Sequence, residues 1–415
     1  MQGEEVFETY ESEVRSYCRS FPAIFTTAKG SIMKDENGRE YIDFFCGAGA
    51  VNYGHNNDEI KGGLIEYLQS DGILHAMDMM TQPKADFLLT LEEKVLKPRG
   101  LNYKVMFPGP TGTNAVEAAL KLARKVKKRS QIWGLMGCFH GMTLGSLALT
   151  SDSGSRGGAG LALEGVTHIP APYMFPELDT IKYMETLLTD DHSGVEKPAA
   201  IIIETVQAEG GVHVFDAQWL RDLRALCDRH DILLIVDDIQ VGCARTGTFF
   251  SFERAGIVPD IVCMSKSIGG YGMPFAITMF KPELDIWSPG EHNGTFRGNQ
   301  LAMVAAKGGL EFMLAHHVED EVKRKEGIVR SFMEENFASL GLPVRGIGLI
   351  WGIEFADGKT AHAVADHCFQ KGLIIERAGR DNNVVKLMPA LTIPDDQLVA
   401  GMKIIKAATD EVLGK

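Results

Sequence analysis

Between residues 103 and 280 short apolar runs alternate with helical stretches, and this alternation leaves few folds open. The candidate strands are 103–107, 132–136, 200–204, 232–237, 261–265 and 275–280, with helical patterns such as 114–128 and 217–229 between them. Strands separated by helices are brought side by side through crossovers, which yields a mostly parallel sheet covered on both faces. The expected class is α/β. At 415 residues the chain exceeds the size at which a single core keeps growing, so a second domain is expected beside the large one. The large domain is placed at 61–310 and a small α+β domain at 311–415.

The flanks fit that division. Asn37-Gly38 lies between two strand-like runs within Ser31–Phe44 and reads as a hairpin turn. The segment 1–60 is expected to fold against the small domain. That domain opens with a charged helix over 318–338, and 344–355 reads as one strand broken by glycines. A helix at 360–371 and a C-terminal helix at 395–412 follow.

Charge and cysteine usage exclude several function classes. The net charge of −13 is spread along the chain, which disfavours nucleic acid or an anionic membrane surface as partner. The start Met1-Gln2-Gly3-Glu4-Glu5 lacks the basic and apolar regions of a signal peptide. No apolar run approaches the roughly 20 residues needed to span a bilayer, so a cytoplasmic location is expected. Seven cysteines stand scattered without a C-x-x-C pair and read as reduced thiols. The 12 histidines show no ligand spacing, so no metal is expected.

The chemistry concentrates at the ends of the candidate strands, where ligands bind in open α/β sheets. Ile261–Ser265 ends on Lys266, followed by Ser267-Ile268-Gly269-Gly270, and Leu233–Val236 ends on Asp237-Asp238. An amine and an acid so placed suit a lysine that forms a Schiff base with an aromatic aldehyde cofactor, while the acid keeps the ring nitrogen protonated. A nearby glutamine, Gln240, can bond the ring's phenolic oxygen. Gly112 and Thr113 open the helix after Gly109-Pro110-Thr111, a pattern that serves either as a phosphate cradle or as a plain N-cap. Phe139-His140 follows the strand 132–136, and its aromatic either stacks on a planar ring or closes the core. Ile201-Ile202-Ile203-Glu204 ends a further buried strand, with Glu209 a few residues on.

Taken together, these segments make the chain similar to the class III, or ω-amino acid, aminotransferases. The likeness runs from Tyr41-Ile42-Asp43 and Val51-Asn52-Tyr53-Gly54-His55 to Leu387-Met388-Pro389-Ala390-Leu391. It implies the fold type I of pyridoxal 5′-phosphate enzymes, with a seven-stranded sheet in the large domain. It also implies roles: Gly112 and Thr113 at the phosphate, Phe139 stacked on the ring with His140 beside it, and Asp237 on the ring nitrogen. Gln240 falls on the phenolic-oxygen partner and Lys266 on the Schiff-base lysine. Glu204 and Glu209 fall in the family's E-P-x-Q-x-E-x-G stretch, although Thr205 replaces its proline. Thr295 falls on the threonine that reaches the phosphate of a neighbouring subunit, which implies a homodimer or a higher homo-oligomer.

Within the class, Phe107–Glu117, Glu204-Thr205-Val206-Gln207, Val236–Gln240 and Gly294–Asn299 most resemble the diaminobutyrate–2-oxoglutarate transaminases of the ectoine-pathway type. The implied reaction moves the amino group of L-glutamate to L-aspartate 4-semialdehyde, giving L-2,4-diaminobutyrate and 2-oxoglutarate. An aminotransferase acting on ornithine or 4-aminobutyrate shares the pattern, as does an aminomutase. Two residues depart from the class. Arg297 stands where most members have glycine, and Lys386 stands where many have an arginine that grips a substrate carboxylate. Lysine lacks the guanidinium's bidentate fork. The grip is therefore expected from Lys386 as a point charge or from Arg297, with Glu209 switching between the two substrates.

Overall fold

The structure is a computed structural model and describes residues 3–414. Met1 and Gln2, which belong to the N-terminal segment 1–60 and its acidic start, and Lys415 at the end of 311–415 lie outside the described residues. At its centre is a seven-stranded sheet. Its spatial order is Lys104–Met106, Ile277–Phe280, Ile261–Met264, Leu233–Asp237, Ala200–Ile203, Ile132–Leu135 and Val166–Ile169.

The four strands from Ile261–Met264 to Ile132–Leu135 run parallel, as does the edge strand Val166–Ile169. Every residue of those four strands is buried, which explains their continuous apolar runs. Ile277–Phe280 instead runs antiparallel to both of its neighbours. Its link from Ile261–Met264 carries only the short turn Lys266–Gly269, without a crossover helix to bring the strand round. Val166–Ile169 was not among the sequence-derived strands. Its burial is mostly partial and Thr167 and His168 interrupt its apolar character, so no buried-strand signal exists there.

Helices cover the sheet where the 3.6-residue period foretold them. Gly112–Lys127 turns Ala115, Val116, Ala119, Leu122 and Ala123 inward. Ala217–Arg229 starts at Asp216, whose carboxylate accepts from Gln218 N and Trp219 N at 2.7 and 3.1 Å. Gln300–Ala315 packs against the turn that follows Lys266. There Gly270 has φ +68°, and a Cβ at that position would overlap the carbonyl oxygen of Ala305. Gly270→Ala is expected to cost roughly 2–5 kcal/mol from overpacking and backbone strain. Urea unfolding checks this: the midpoint moves clearly lower, and an unchanged midpoint would contradict the packing described.

In the C-terminal part, Val344–Ile347, Ile350–Glu354, Val384–Leu387 and Glu376–Ala378 form an antiparallel sheet. The run 344–355 is thus a hairpin of two strands, which corrects the reading of one interrupted strand. Gly348 (φ +55°) makes the turn, in a space closed by the backbone at Arg245 and Thr246. Helices Val318–Asn336, Gly358–Gln370 and Asp395–Leu413 complete this part.

The N-terminal strands Phe25–Lys29, Ile32–Asp35 and Glu40–Asp43 are joined to the C-terminal part, since Ile42 and Asp43 pair in parallel with Leu373 and Ile374. Asp35 Oδ1 accepts from Asn37 N and Arg39 N, tightening the turn at Asn37-Gly38. Among the described residues no helix is long and apolar enough to cross a membrane.

Candidate active site

Four neighbouring parallel strands deliver their C-terminal ends to one cleft, the place where ligands bind in such sheets. Phe139 and His140 come from beyond Ile132–Leu135, Glu204 from Ala200–Ile203, Asp237 from Leu233–Asp237 and Lys266 from Ile261–Met264. Gly112, Thr113, Gly141, Glu209, Ile239, Gln240 and Val241 complete the lining. Lys266 is the one amine among these lining residues.

Lys266 sits in the left-handed region at φ 54°, a conformation that costs a side-chain-bearing residue about 1–3 kcal/mol. Neighbouring hydroxyls hold it there. Ser265 Oγ donates to Phe275 O at 2.7 Å, and Ser267 Oγ donates to Gly49 O at 2.6 Å. Burial pushes the Lys266 ammonium below its ordinary pKa and Lys386 adds to that, against the pull of the Glu209, Glu376 and Asp237 carboxylates. The result is an amine that gives up its proton more readily than a surface lysine.

Asp237 is 4% exposed. Its Oδ2 lies 2.7 Å from His140 Nδ1, and its Oδ1 accepts from Ile239 N at 3.2 Å. Burial works against the His140 imidazolium, but the Cys138 sulfur and Asp237 outweigh it and hold the His140 pKa well above its usual value. His140 Nε2 is buried without a hydrogen-bond partner. The neighbouring Asp238 does not line the cleft; its Oδ2 accepts from Ser251 N at 3.1 Å, and burial lifts its pKa to about 7. The geometry thereby separates the two adjacent acids.

At one end of the cleft the helix Gly112–Lys127 begins. Asn114 Oδ1 accepts from the Thr111 hydroxyl and from Thr111 N, so this N-terminus is capped and still faces the cleft with Gly112 and Thr113. Thr113 Oγ1 lies 2.6 Å from Thr143 Oγ1 and 2.5 Å from Ser146 Oγ, a hydroxyl cluster that no sequence motif announced. Phe139 lines the wall and is 37% exposed, so it does not serve as a core residue. Its N–H donates to Glu204 Oε1 at 3.0 Å. Burial raises the Glu204 pKa to about 7.

Beside Lys266 lies a buried charge cluster. Lys386 Nζ donates to Glu209 Oε1 at 2.6 Å and lies 3.0 Å from Glu376 Oε1. Gln240 Nε2 also donates to Glu209 Oε1, at 3.0 Å, and to Ala48 O. Glu376 was missed in the sequence; the available signal was a lone acid closing the apolar run Leu373-Ile374-Ile375. Thr295 and Arg297 do not line the cleft that holds Lys266. Thr295 is exposed. Arg297 forms an ion pair with Asp78 and donates to His292 O at 3.0 Å. Within this chain Arg297 lies outside the cleft that holds Lys266, with its guanidinium paired to Asp78.

The sequence profile of the aminotransferase class-III family matches residues 15–409. The diaminobutyrate–2-oxoglutarate transaminase of Streptomyces coelicolor is 55% identical over 413 residues, covering 98% of this chain and 97% of that protein. That of Sporosarcina pasteurii is 51% identical over 416 residues, covering 99% and 98%. Among solved structures, a Bacillus anthracis aminotransferase superposes with TM-score 0.89 at 24% identity, covering 99% of this chain and 100% of the other. The ornithine aminotransferase of Toxoplasma gondii gives TM-score 0.87 at 23% identity, covering 100% and 96%. At these identities the structural likenesses concern the fold.

Proposed function

The chain belongs to the class III aminotransferases, and from that premise we propose that it catalyses the diaminobutyrate–2-oxoglutarate transamination. In this reading the amino group of L-glutamate passes to L-aspartate 4-semialdehyde, giving L-2,4-diaminobutyrate and 2-oxoglutarate, as a step of ectoine biosynthesis. The observation that carries it is near full-length identity above one half to proteins of that name, in a chain whose cleft holds Lys266 and Asp237. Residues 61–310 would form the cofactor-binding domain, with 311–415 and the N-terminal segment 1–60 beside it.

Enzymes of this class work with pyridoxal 5′-phosphate, and the donor set fits that group. The capped helix N-terminus at Gly112 and Thr113 suits a phosphate, the Phe139 wall suits a planar ring, and buried Asp237 suits a protonated ring nitrogen. Lys266 would hold the aldehyde carbon, Gln240 would face the phenolic oxygen, and Glu204 would fix Phe139 through its backbone. When bound, the cofactor supplies an electron-withdrawing ring conjugated to the carbon that carries the amino group.

Lys266 would hold the cofactor, and its Nζ would serve as the base and acid that moves the proton of the substrate carbon. Its depressed pKa suits both directions of that transfer. Asp237, oriented by His140, keeps the proton on the ring nitrogen throughout. Glutamate and the diamine place their carboxylates differently, so Lys386 takes a substrate carboxylate in one half-reaction and returns to Glu209 in the other.

Thr295 would act on a neighbouring copy. The exposed Ile73, Leu74, Met79, Met80 and Phe296 support a homo-oligomer, and His75, next to Leu74, packs edge-on against Phe296.

The test is a panel of amino donors with 2-oxoglutarate as acceptor. Diaminobutyrate should exceed ornithine and 4-aminobutyrate in kcat/KM by at least about tenfold, a difference of about 1.4 kcal/mol. Preference for ornithine or 4-aminobutyrate would overturn the substrate, and isomerisation without any acceptor would identify an aminomutase.

A further inference from the structure

The hydroxyl cluster at the start of the helix Gly112–Lys127 is tied together by an acid that stands outside the cleft. Thr113 and Glu117 are four residues apart on that helix, so their side chains share one face. Glu117 Oε1 accepts twice from the segment 143–146: from the Thr143 hydroxyl at 2.6 Å and from Ser146 N at 3.0 Å. The second donor is one of the N–H groups left open at the start of the short helix Leu144–Leu149. Thr143, the N-cap of that helix, makes no side-chain cap bond, and the acid of another helix takes its place.

A carboxylate only accepts, so Glu117 draws the Thr143 proton to itself and leaves Thr143 Oγ1 as an acceptor. Thr113 Oγ1 lies 2.6 Å from that oxygen and 2.5 Å from Ser146 Oγ. Each of these short pairs needs one proton between its oxygens, so the hydroxyls donate in one direction, from Ser146 to Thr113 to Thr143 to Glu117. Two glycines leave room for the cluster. A Cβ on Gly141 would lie 2.5 Å from Thr113 Oγ1, and a Cβ on Gly145 would overlap Glu117 Oε2.

Thr113 is where this cluster meets the cleft. With Gly112 it lines the cleft at the helix N-terminus, whereas Glu117, Thr143 and Ser146 do not. Holding Thr113 holds the free N–H groups that suit a phosphate. By charge alone an acid disfavours an anion nearby, so Glu117 contributes through the bonds it accepts. We propose that Glu117 is a positioning residue for the cofactor phosphate, which fixes Thr113 through Thr143 and Ser146 without touching the phosphate. This rests on the reading of Gly112 and Thr113 as the phosphate end of the cleft.

The experiment strips the full-length enzyme of cofactor and titrates it with pyridoxal 5′-phosphate and, separately, with pyridoxal, which lacks the phosphate. Glu117→Ala should raise the Kd of pyridoxal 5′-phosphate roughly tenfold or more and leave that of pyridoxal within about twofold. Glu117→Gln keeps an acceptor oxygen and should stay within about threefold of wild type. In a Thr113→Val background Glu117→Ala should add less than about twofold, because its effect runs through Thr113. Gly145→Ala places a good helix former in a helix but displaces the Glu117 carboxylate, and it should weaken pyridoxal 5′-phosphate in the same way. That variant decides the matter where Glu117→Ala does not fold. Equal weakening of both ligands, an unchanged Kd for pyridoxal 5′-phosphate in Glu117→Ala or Gly145→Ala, or full additivity with Thr113→Val overturns the proposal. Failure of the underlying reading looks different: Thr113→Val alone then leaves the Kd of pyridoxal 5′-phosphate unchanged, and both readings fall together.

Discussion

Lys266→Ala is expected to lower transamination on the order of 10⁴-fold or more. The cleft has no other amine among its lining residues. Lys386, the nearest candidate substitute, is fully buried and engaged by two carboxylates. Alanine removes both the group that would hold the cofactor's aldehyde carbon and the group that would move the substrate proton. Folding should survive. Alanine adopts φ 54° at no greater cost than lysine, and the anchors that hold the turn belong to Ser265 and Ser267. Two measurements separate loss of chemistry from loss of structure. Borohydride treatment followed by denaturation should leave the cofactor attached to the wild type and not to the variant, as read by mass spectrometry. The far-ultraviolet circular dichroism should match in both. A variant within tenfold of the wild-type rate would sink the assignment.

The parts of the molecule that the sequence made legible share one property: their signals are local. Strands buried on both faces, such as Leu233–Asp237 and Ile261–Met264, need apolar residues at every position and so stand out. Because ligands gather at the ends of such strands, Lys266, Asp237, Glu204 and the Phe139-His140 pair could be proposed as neighbours before any coordinates, and the structure brings them into one cleft. What could not be read depends on distant partners. The hairpin at 344–354 is set by Gly348 pressed against the backbone at Arg245, a contact between segments far apart in sequence. The edge strand Val166–Ile169 is only partly covered and needs no apolar run. Glu376 gained meaning only through the strand register that sets it opposite Lys386. The pairing of Arg297 with Asp78, from a distant loop, is another contact that no local signal announces.

Asp237→Asn should give a folded protein that retains its cofactor and turns over about 10²–10⁴-fold more slowly. The amide matches the carboxylate in shape, so it can keep the contacts with His140 Nδ1 and with Ile239 N. What it cannot keep is the negative charge. In a pocket where Asp237 is 4% exposed, no water supplies a substitute anion. Without that charge Asp237→Asn would hold a proton on the cofactor's ring nitrogen less firmly, weakening the electron demand that the ring would supply. The loss should therefore fall on kcat, while KM for glutamate, which the proposed grip at Lys386 and Glu209 would set, changes little. His140 shifts with it: Cys138 still favours its charged form, but without the Asp237 carboxylate its pKa falls. Asp238→Asn is the matched control. Asp238 lies one residue further on and is at least as buried, but it bonds Ser251 N outside the cleft. It should leave kcat within a few-fold of wild type. Equal losses in the two variants would mean that burial of an acid, and not its position beside the ring, underlies the effect, and Asp237 would then be structural.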